Sequence, residues 1–394
     1  MERFLRLSLG MLLLATGLGL LLRLALVVPV PFLVFSHALH AHSHTLYFGW
    51  AALALFTLFF ERVGASDAAV RRALWLVVAV SLATFVAFLH SGYGRPGVLV
   101  SASSLGVWGV VVTLFLRRAR GRRELDVAWL RVAAWYVVVA VGAALARVAL
   151  LVTKQDALWG QLAVAAFLTT FAGFFLFGLV GLFARFLAER GAPLDERLLR
   201  WQLWWMTPLT ALTFPLGVPG AMQTPLGPLS RVAAVALVVP AALWVANLWS
   251  ASRHLASTVR LVVRSVAVAW ALKAILETGA AFGLTALAAS SRHAVILLLH
   301  LVLLGVVSAA LLLLLGQRLG RPSPGALLVH QFGVAVMTAG LLLVVGATTA
   351  GWPGGRLGLW LAFAGGALVV AADGVLTALL LRRAVHLGPS AVRR

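Results

Sequence analysis

The chain has 394 residues, no cysteine and a formal net charge of +21, and 62% of its residues are hydrophobic, which gives a mean hydropathy of +1.02. A soluble domain of this length does not carry so many apolar residues, and the lack of cysteine excludes disulfides, thiolate metal sites and covalent haem attachment. Arginines between apolar runs account for the positive charge, so the expected partner is the lipid bilayer and not nucleic acid.

Apolar runs of about twenty residues recur along the whole chain, as membrane-spanning helices require. We predict an all-α, polytopic membrane helix bundle with about twelve transmembrane helices, forming a single integral membrane domain over residues 1–394. The predicted spans are 5–28, 40–60, 70–90, 98–116, 127–152, 158–184, 199–217, 230–250, 259–285, 294–316, 325–349 and 357–381.

Arginine is concentrated in every second connection between these spans. The connections after even-numbered spans hold Arg62, Arg71 and Arg72; Arg117, Arg118, Arg120, Arg122 and Arg123; Arg185, Arg190 and Arg197; Arg253 and Arg260; and Arg318 and Arg321. The connections after odd-numbered spans hold none near residue 30 and then one each: Arg95, Lys154, Arg231, Arg292 and Arg356. Because positive loops stay on the cytoplasmic side, both termini are predicted to be cytoplasmic.

Four of the ten histidines lie within eight residues at the outer end of the second predicted span: His37, His40, His42 and His44. Residues three, four and seven apart share a helix face, so His37, His40 and His44 line one face and His42 points elsewhere. Imidazole is a common ligand of haem iron, copper and zinc. The three aligned histidines are therefore a candidate metal site, and the alternative is a polar helix start without a metal.

Three more histidines fall on the same predicted side of the membrane: His90, His293 and His300. His44 and His300 each lie about one turn inside their spans, so two helices would present imidazoles to one iron at the same depth, as bis-histidine haem requires. We predict these two as haem or metal ligands. The supporting candidates are His42, His40 and His90. For His293 an interfacial side chain is preferred.

Charged residues inside membrane spans are costly and usually face the bundle interior. Among them are Arg147 in the fifth span, Lys273 and Glu277 in the ninth and Asp373 in the twelfth. Lys273 and Glu277 are four residues apart and are predicted to pair along one helix face. Such a pair would fix helix packing, whereas Arg147 or Lys273 would alternatively hold the acidic propionates of a haem. Asp373 has no predicted partner.

The segment His42-Ser-His44-Thr-Leu-Tyr-Phe-Gly49-Trp50 resembles the H-x-H-x-[ML]-x-F-G-[FW] signature of the NnrS family. A second segment is similar to that family's H-x4-G … R … G-R-P stretch: His300-Leu-Val-Leu-Leu-Gly305, then Arg318 and Gly320-Arg321-Pro322. In the first motif a glutamate usually follows the second histidine, and here that position is Thr45.

The resemblance implies a twelve-span protein of the bacterial inner membrane that contains haem and copper and is linked to the nitric oxide response or denitrification. Nitric oxide would then be the small gaseous ligand, and without cysteine the haem would be b-type. NnrS proteins are in turn reminiscent of the catalytic subunit of haem-copper oxidases, whose copper site needs histidines in the sixth and seventh spans. Here 158–184 and 199–217 contain none, so no complete haem–copper centre is predicted and enzymatic activity stays open.

Two alternatives remain. A twelve-span secondary transporter would use charges near the middle of the membrane, for which Asp373, Lys273 and Glu277 are available. A divalent-metal or copper-handling membrane protein would instead use His37, His40 and His44.

Overall fold

The computed structural model describes residues 1–153, 157–284, 292–320 and 323–386. These residues form helices joined by short connections, with no β-strand among them. The described chain contains ten helices that are long and apolar enough to cross a membrane. The predicted all-α architecture is confirmed for these residues, and the ten apolar helices are compatible with a multi-pass membrane protein. The predicted loop and motif residues Lys154, Arg321 and Pro322 lie outside the described residues.

In chain order the α-helices are α1 (Glu2–Leu24), α2 (Phe35–His44), α3 (Leu53–Arg62), α4 (Ala68–Ser91), α5 (Arg95–Arg118), α6 (Leu125–Val152), α7 (Ala157–Ala188), α8 (Glu196–Leu212), α9 (Leu226–Ala236), α10 (Val238–Ser252), α11 (Ser257–Gly279), α12 (Arg292–His300), α13 (Ala309–Leu319), α14 (Pro324–Ala350) and α15 (Gly355–His386). Two eight-residue π-helices join neighbouring α-helices: π1 (Thr45–Ala52) between α2 and α3, and π2 (Leu301–Ser308) between α12 and α13.

Ten of the twelve predicted spans coincide with the long apolar helices, and two do not. Over 199–217, α8 ends at Leu212 after only 17 residues, because Pro208 lies within its last turns and the chain continues as short 3-10 helices. Over 259–285, α11 carries two arginines as well as the Lys273–Glu277 pair, which lowers its hydropathy. Twelve membrane crossings therefore stay a prediction.

The chain divides into two compact units. The first comprises Met1–Val107, Ser257–Val262 and Leu303–Arg394, and the second comprises Trp108–Ala256 and Val263–Val302. The organisation as one integral membrane domain stays a prediction.

In the first unit, α14 and α15 form an antiparallel hairpin whose backbones touch. Gly333 and Gly340 are seven residues apart on α14, and Gly358 and Gly365 are seven apart on α15, so each pair lies on one helix face. A Cβ atom added to Gly340 would lie 2.5 Å from the carbonyl oxygen of Gly358. Small residues at a helix contact allow this close approach in membranes.

The second unit has an aromatic core between α6 and α7. The Tyr136 ring stacks on Phe177 with centroids 4.9 Å apart, and Gly173 leaves the space that the tyrosine ring occupies. Trp129 packs against the same phenylalanine at 5.2 Å. These large rings fill the contact between α6 and the long α7.

Candidate functional site

Both histidines predicted as principal ligands stand at the start of a π-helix. His44 is the last residue of α2 and directly precedes π1, and His300 is the last residue of α12 and directly precedes π2. In a π-helix the backbone hydrogen bonds join residues five apart, which widens the helix and changes the direction of the side chains that follow. Such segments are rare and occur frequently at functional sites.

The second-span histidines divide between two neighbouring helices, as their spacing predicts. His42 faces α1, where its Nδ1 atom lies 2.7 Å from the carbonyl oxygen of Ala15, and Gly19 provides the space for the ring. His37 and His44 face α4 instead. The His37 Nδ1 atom lies 3.4 Å from the carbonyl oxygen of Leu89, and the two faces of α2 therefore join α1 and α4.

His44 lies in an aromatic pocket. Its ring stacks on Phe88 with centroids 4.3 Å apart and meets Phe48 edge-on at 5.0 Å. Tyr93 closes the pocket, with its ring 5.2 Å from that of Phe88. The Nδ1 atom of His44 is buried and has no hydrogen-bond partner in the described part of the chain. Burying a polar atom without a partner costs free energy, so this nitrogen is a candidate contact for a bound group.

The three aligned histidines do not converge on one point. The described residues contain no group of three or more His, Cys, Asp or Glu side chains placed to hold a metal ion. Instead each ring has its own neighbour: His37 packs over Gly92, His40 meets Tyr93 edge-on at 4.2 Å, and His44 stacks on Phe88. A metal-binding role for any one of them stays a prediction.

His300 is oriented by its own helix. Its Nδ1 atom lies 2.7 Å from the carbonyl oxygen of Ile296, and because a carbonyl only accepts, Nδ1 carries the hydrogen. In the neutral ring Nε2 then carries the lone pair. Metal-bound histidines commonly donate their other ring N–H to a backbone carbonyl in this way. His44 belongs to the first unit and His300 to the second, so their approach to one iron stays a prediction.

The remaining sequence candidates are dispersed. His90 is exposed in the last turn of α4. Arg147 is partly buried in α6, with its guanidinium over Gly160 of α7. The ion pair predicted in α11 is present, with Lys273 Nζ 2.5 Å from Glu277 Oε2. The lysine side chain is 11% exposed and the glutamate 41%, so this pair is less buried than its position in a predicted span suggested.

One ionisable pair, fully buried among the described residues, was not predicted from the sequence. His330 of α14 and Asp373 of α15 are both fully buried, and His330 Nδ1 lies 2.8 Å from Asp373 Oδ1. The second oxygen of Asp373 is buried without a hydrogen-bond partner in the described chain. The sequence offered one signal for this pair: a single aspartate and a single histidine lie inside two successive apolar runs. They are 43 residues apart, and no local spacing links them.

The histidine of this pair also hydrogen-bonds to the backbone of π2. His330 Nε2 lies 3.3 Å from the carbonyl oxygen of Leu304, and the Gln331 side chain donates to that of Gly305 at 3.1 Å. Adjacent side chains of α14 thus hydrogen-bond to adjacent carbonyls of π2. Asp373 on α15 orients the imidazole that makes the first of these bonds.

The two π-helices contact each other. The indole N–H of Trp50 in π1 donates to the hydroxyl of Ser308 in π2 at 2.9 Å, and both residues are fully buried. Trp50 is the last residue of the first motif segment, and Ser308 lies three residues beyond Gly305, the last residue of the H-x4-G segment. A side-chain hydrogen bond therefore joins the two π-helical segments, between residues 258 apart in the chain.

No protein-family model matches the chain, and no curated protein is similar to it. The contacts around His44, His300 and the two π-helices are therefore the observations on which a function rests.

Proposed function

We propose that the chain is a haem-binding, multi-pass protein of the bacterial inner membrane, similar to the NnrS family and acting in the nitric oxide response or denitrification. His44 and His300 are the proposed iron ligands, and copper is a second candidate metal. One observation carries the proposal: each of these histidines is the last residue of an α-helix and directly precedes an eight-residue π-helix, and a side-chain hydrogen bond joins the two π-helices.

The residues around these histidines fit a haem. The Nδ1 atom of His44 is buried without a hydrogen-bond partner among the described residues, and the aromatic rings of Phe48, Phe88 and Tyr93 provide an apolar wall of the kind that cofactor sites have. The carbonyl of Ile296 fixes the His300 tautomer that ligates through Nε2. With no cysteine in the chain, the haem would be held without covalent attachment. A bound haem would supply the iron that takes nitric oxide.

The acidic propionates of a haem need cations. Lys273 already pairs with Glu277, so Arg147, whose guanidinium lies over Gly160 of α7, is the better candidate. His42 would have a supporting role. It lies on a different face of α2 from His44, and its Nδ1 atom is hydrogen-bonded to the carbonyl of Ala15 on α1.

The haem assignment predicts a coloured protein whose colour depends on two side chains. We expect the purified full-length chain to give a positive pyridine-haemochrome assay, and His44→Ala or His300→Ala to lose haem or shift the visible absorption bands, because each removes a proposed ligand. His254→Ala is the matched control, since this histidine is exposed in the turn after α10. A colourless wild-type protein, or two ligand variants with unchanged haem content and band positions, would overturn the assignment.

The proposed orientation places both termini in the cytoplasm and the His37–His44 segment at the outer surface. The arginine-rich connection between α5 and α6 supports it. A reporter enzyme fused after Arg123 is expected to be active on the cytoplasmic side only. A signal from the periplasmic side at this position would contradict the orientation and the shared depth of the predicted ligands.

A secondary transporter is the second candidate. The fully buried His330–Asp373 pair favours it, because ionisable residues inside membrane helices often belong to ion or substrate pathways. A histidine-based metal-handling protein is less well supported, because the described residues hold no group of three metal ligands. Absence of haem from the purified protein would move the transporter ahead.

A further inference from the structure

An apolar groove runs between α10 and α11 in the second unit. Its volume is about 680 Å³. Small and branched apolar side chains form its walls: Ala242, Val245, Ala246, Ala271, Ala274 and Ile275. Several of these are exposed or only partly buried in the described chain, so the groove opens on the apolar surface of the protein.

Among the residues that line the groove, one is charged, and it lies at one end. Arg253, in the turn that follows α10, lines this end together with Trp249 and Ser250. Arg264 of α11 lies beside it, with its guanidinium 4.6 Å from the centre of the Trp249 ring and its Nε atom donating to Ser252 at 3.1 Å. These contacts hold the Arg264 guanidinium close to the Arg253 end of the groove. The opposite end is bordered by Val238, Thr278 and Gly279, which carry no charge.

The dimensions suit a single lipid chain. Val238 and Arg253 mark the two ends on α10 and are 15 residues apart, which corresponds to about 22 Å along a helix. One leaflet contributes roughly 15 Å of hydrocarbon to a bilayer. The groove is therefore long enough for one acyl chain whose polar end lies at the arginines.

We propose that this groove binds an anionic phospholipid, with an acyl chain along α10 and α11 and the headgroup phosphate on Arg253. Charge complementarity carries the choice of occupant, because guanidinium groups bind phosphate through charge-assisted hydrogen bonds and basic pockets between membrane helices bind anionic headgroups. Arg264 adds to the positive potential, and its bond to Ser252 holds it in place. The site is separate from the proposed haem ligands and does not depend on them.

Native mass spectrometry of the full-length protein, purified in detergent, tests this proposal. Phosphatidylglycerol and phosphatidylcholine with the same acyl chains are added in turn. We expect tighter retention of phosphatidylglycerol, and about tenfold weaker binding in Arg253→Gln, because one charge-assisted phosphate contact is lost. Ala246→Leu should weaken binding of both lipids by filling the groove. Arg231→Gln is the matched control, since Arg231 is exposed on α9 and does not line the groove.

Three results would overturn the proposal. The first is equal retention of the two lipids by the wild-type protein. The second is unchanged phosphatidylglycerol binding in both Arg253→Gln and Ala246→Leu. The third is a dimer in the wild-type protein that Ala246→Leu dissociates, which would make the groove a contact between two copies of the chain. Haem content is not part of the readout, so failure here leaves the proposed function standing.

Discussion

Replacing His330 by leucine should destabilise the protein by about 3–5 kcal/mol, because it leaves the Asp373 carboxylate uncompensated in a fully buried position. Asp373→Leu should have a comparable effect, since it leaves the imidazole of His330 without its partner. Replacing both residues by leucine should cost clearly less than either single change, because no unpaired buried charge remains. Thermal and chemical unfolding in detergent measures all three variants.

The intrahelical Lys273–Glu277 pair of α11 provides a matched comparison. Glu277→Gln should have a much smaller effect than Asp373→Leu, because the glutamate side chain is 41% exposed whereas the aspartate is fully buried. If the His330 and Asp373 variants unfold at the wild-type midpoint, or if the double variant is as unstable as the sum of the single variants, the two residues do not depend on each other.

The second large effect is expected at the glycine contact of α14 and α15. Gly365→Ala would place a methyl group 2.5 Å from the carbonyl oxygen of Gly333 and 2.8 Å from the Cα atom of Met337. Backbone atoms cannot move aside as the end of a flexible side chain can, so the helices must separate. Overpacking of this kind costs typically about 1–3 kcal/mol and occasionally more, and the thermal midpoint should fall accordingly.

Gly374→Ala on the same helix is the control, because an added Cβ atom there meets nothing within 4 Å. Its midpoint should be unchanged or slightly raised, since alanine favours the helix over glycine. Equal midpoints for Gly365→Ala and Gly374→Ala would show that the helices do not pack as closely as the hairpin requires.

The His330–Asp373 pair and the glycine contact of α14 and α15 are both connected through π2 to the proposed ligand His300. The glycine contact brings α14 and α15 together, Asp373 of α15 then orients His330, and His330 and Gln331 bind the carbonyls of π2. A variant at Asp373 is therefore expected to disturb the backbone that follows His300 as well as the stability of the hairpin.

What the sequence determined by itself is what local spacing encodes. Hydropathy over about twenty residues predicted the membrane helices, because each such helix satisfies its own backbone hydrogen bonds. Helical periodicity predicted that His42 and His44 face different neighbours, and an i, i+4 spacing predicted the Lys273–Glu277 pair; the structure confirms both. The hydropathy of the sequence predicted a membrane span over 199–217, but α8 ends at Leu212. The effect of Pro208 and the following 3-10 segments on the length of the helix was not recognised.

Only the tertiary structure decided which helices became neighbours and where the helical backbone changed its hydrogen-bonding pattern. The His330–Asp373 pair joins residues 43 apart and the Trp50–Ser308 bond joins residues 258 apart, and neither partner carries a sequence signal that specifies the other. The π-helices have no local signature either. The carbonyls of π2 accept hydrogen bonds from α14 side chains, and such support exists only once the helices have packed.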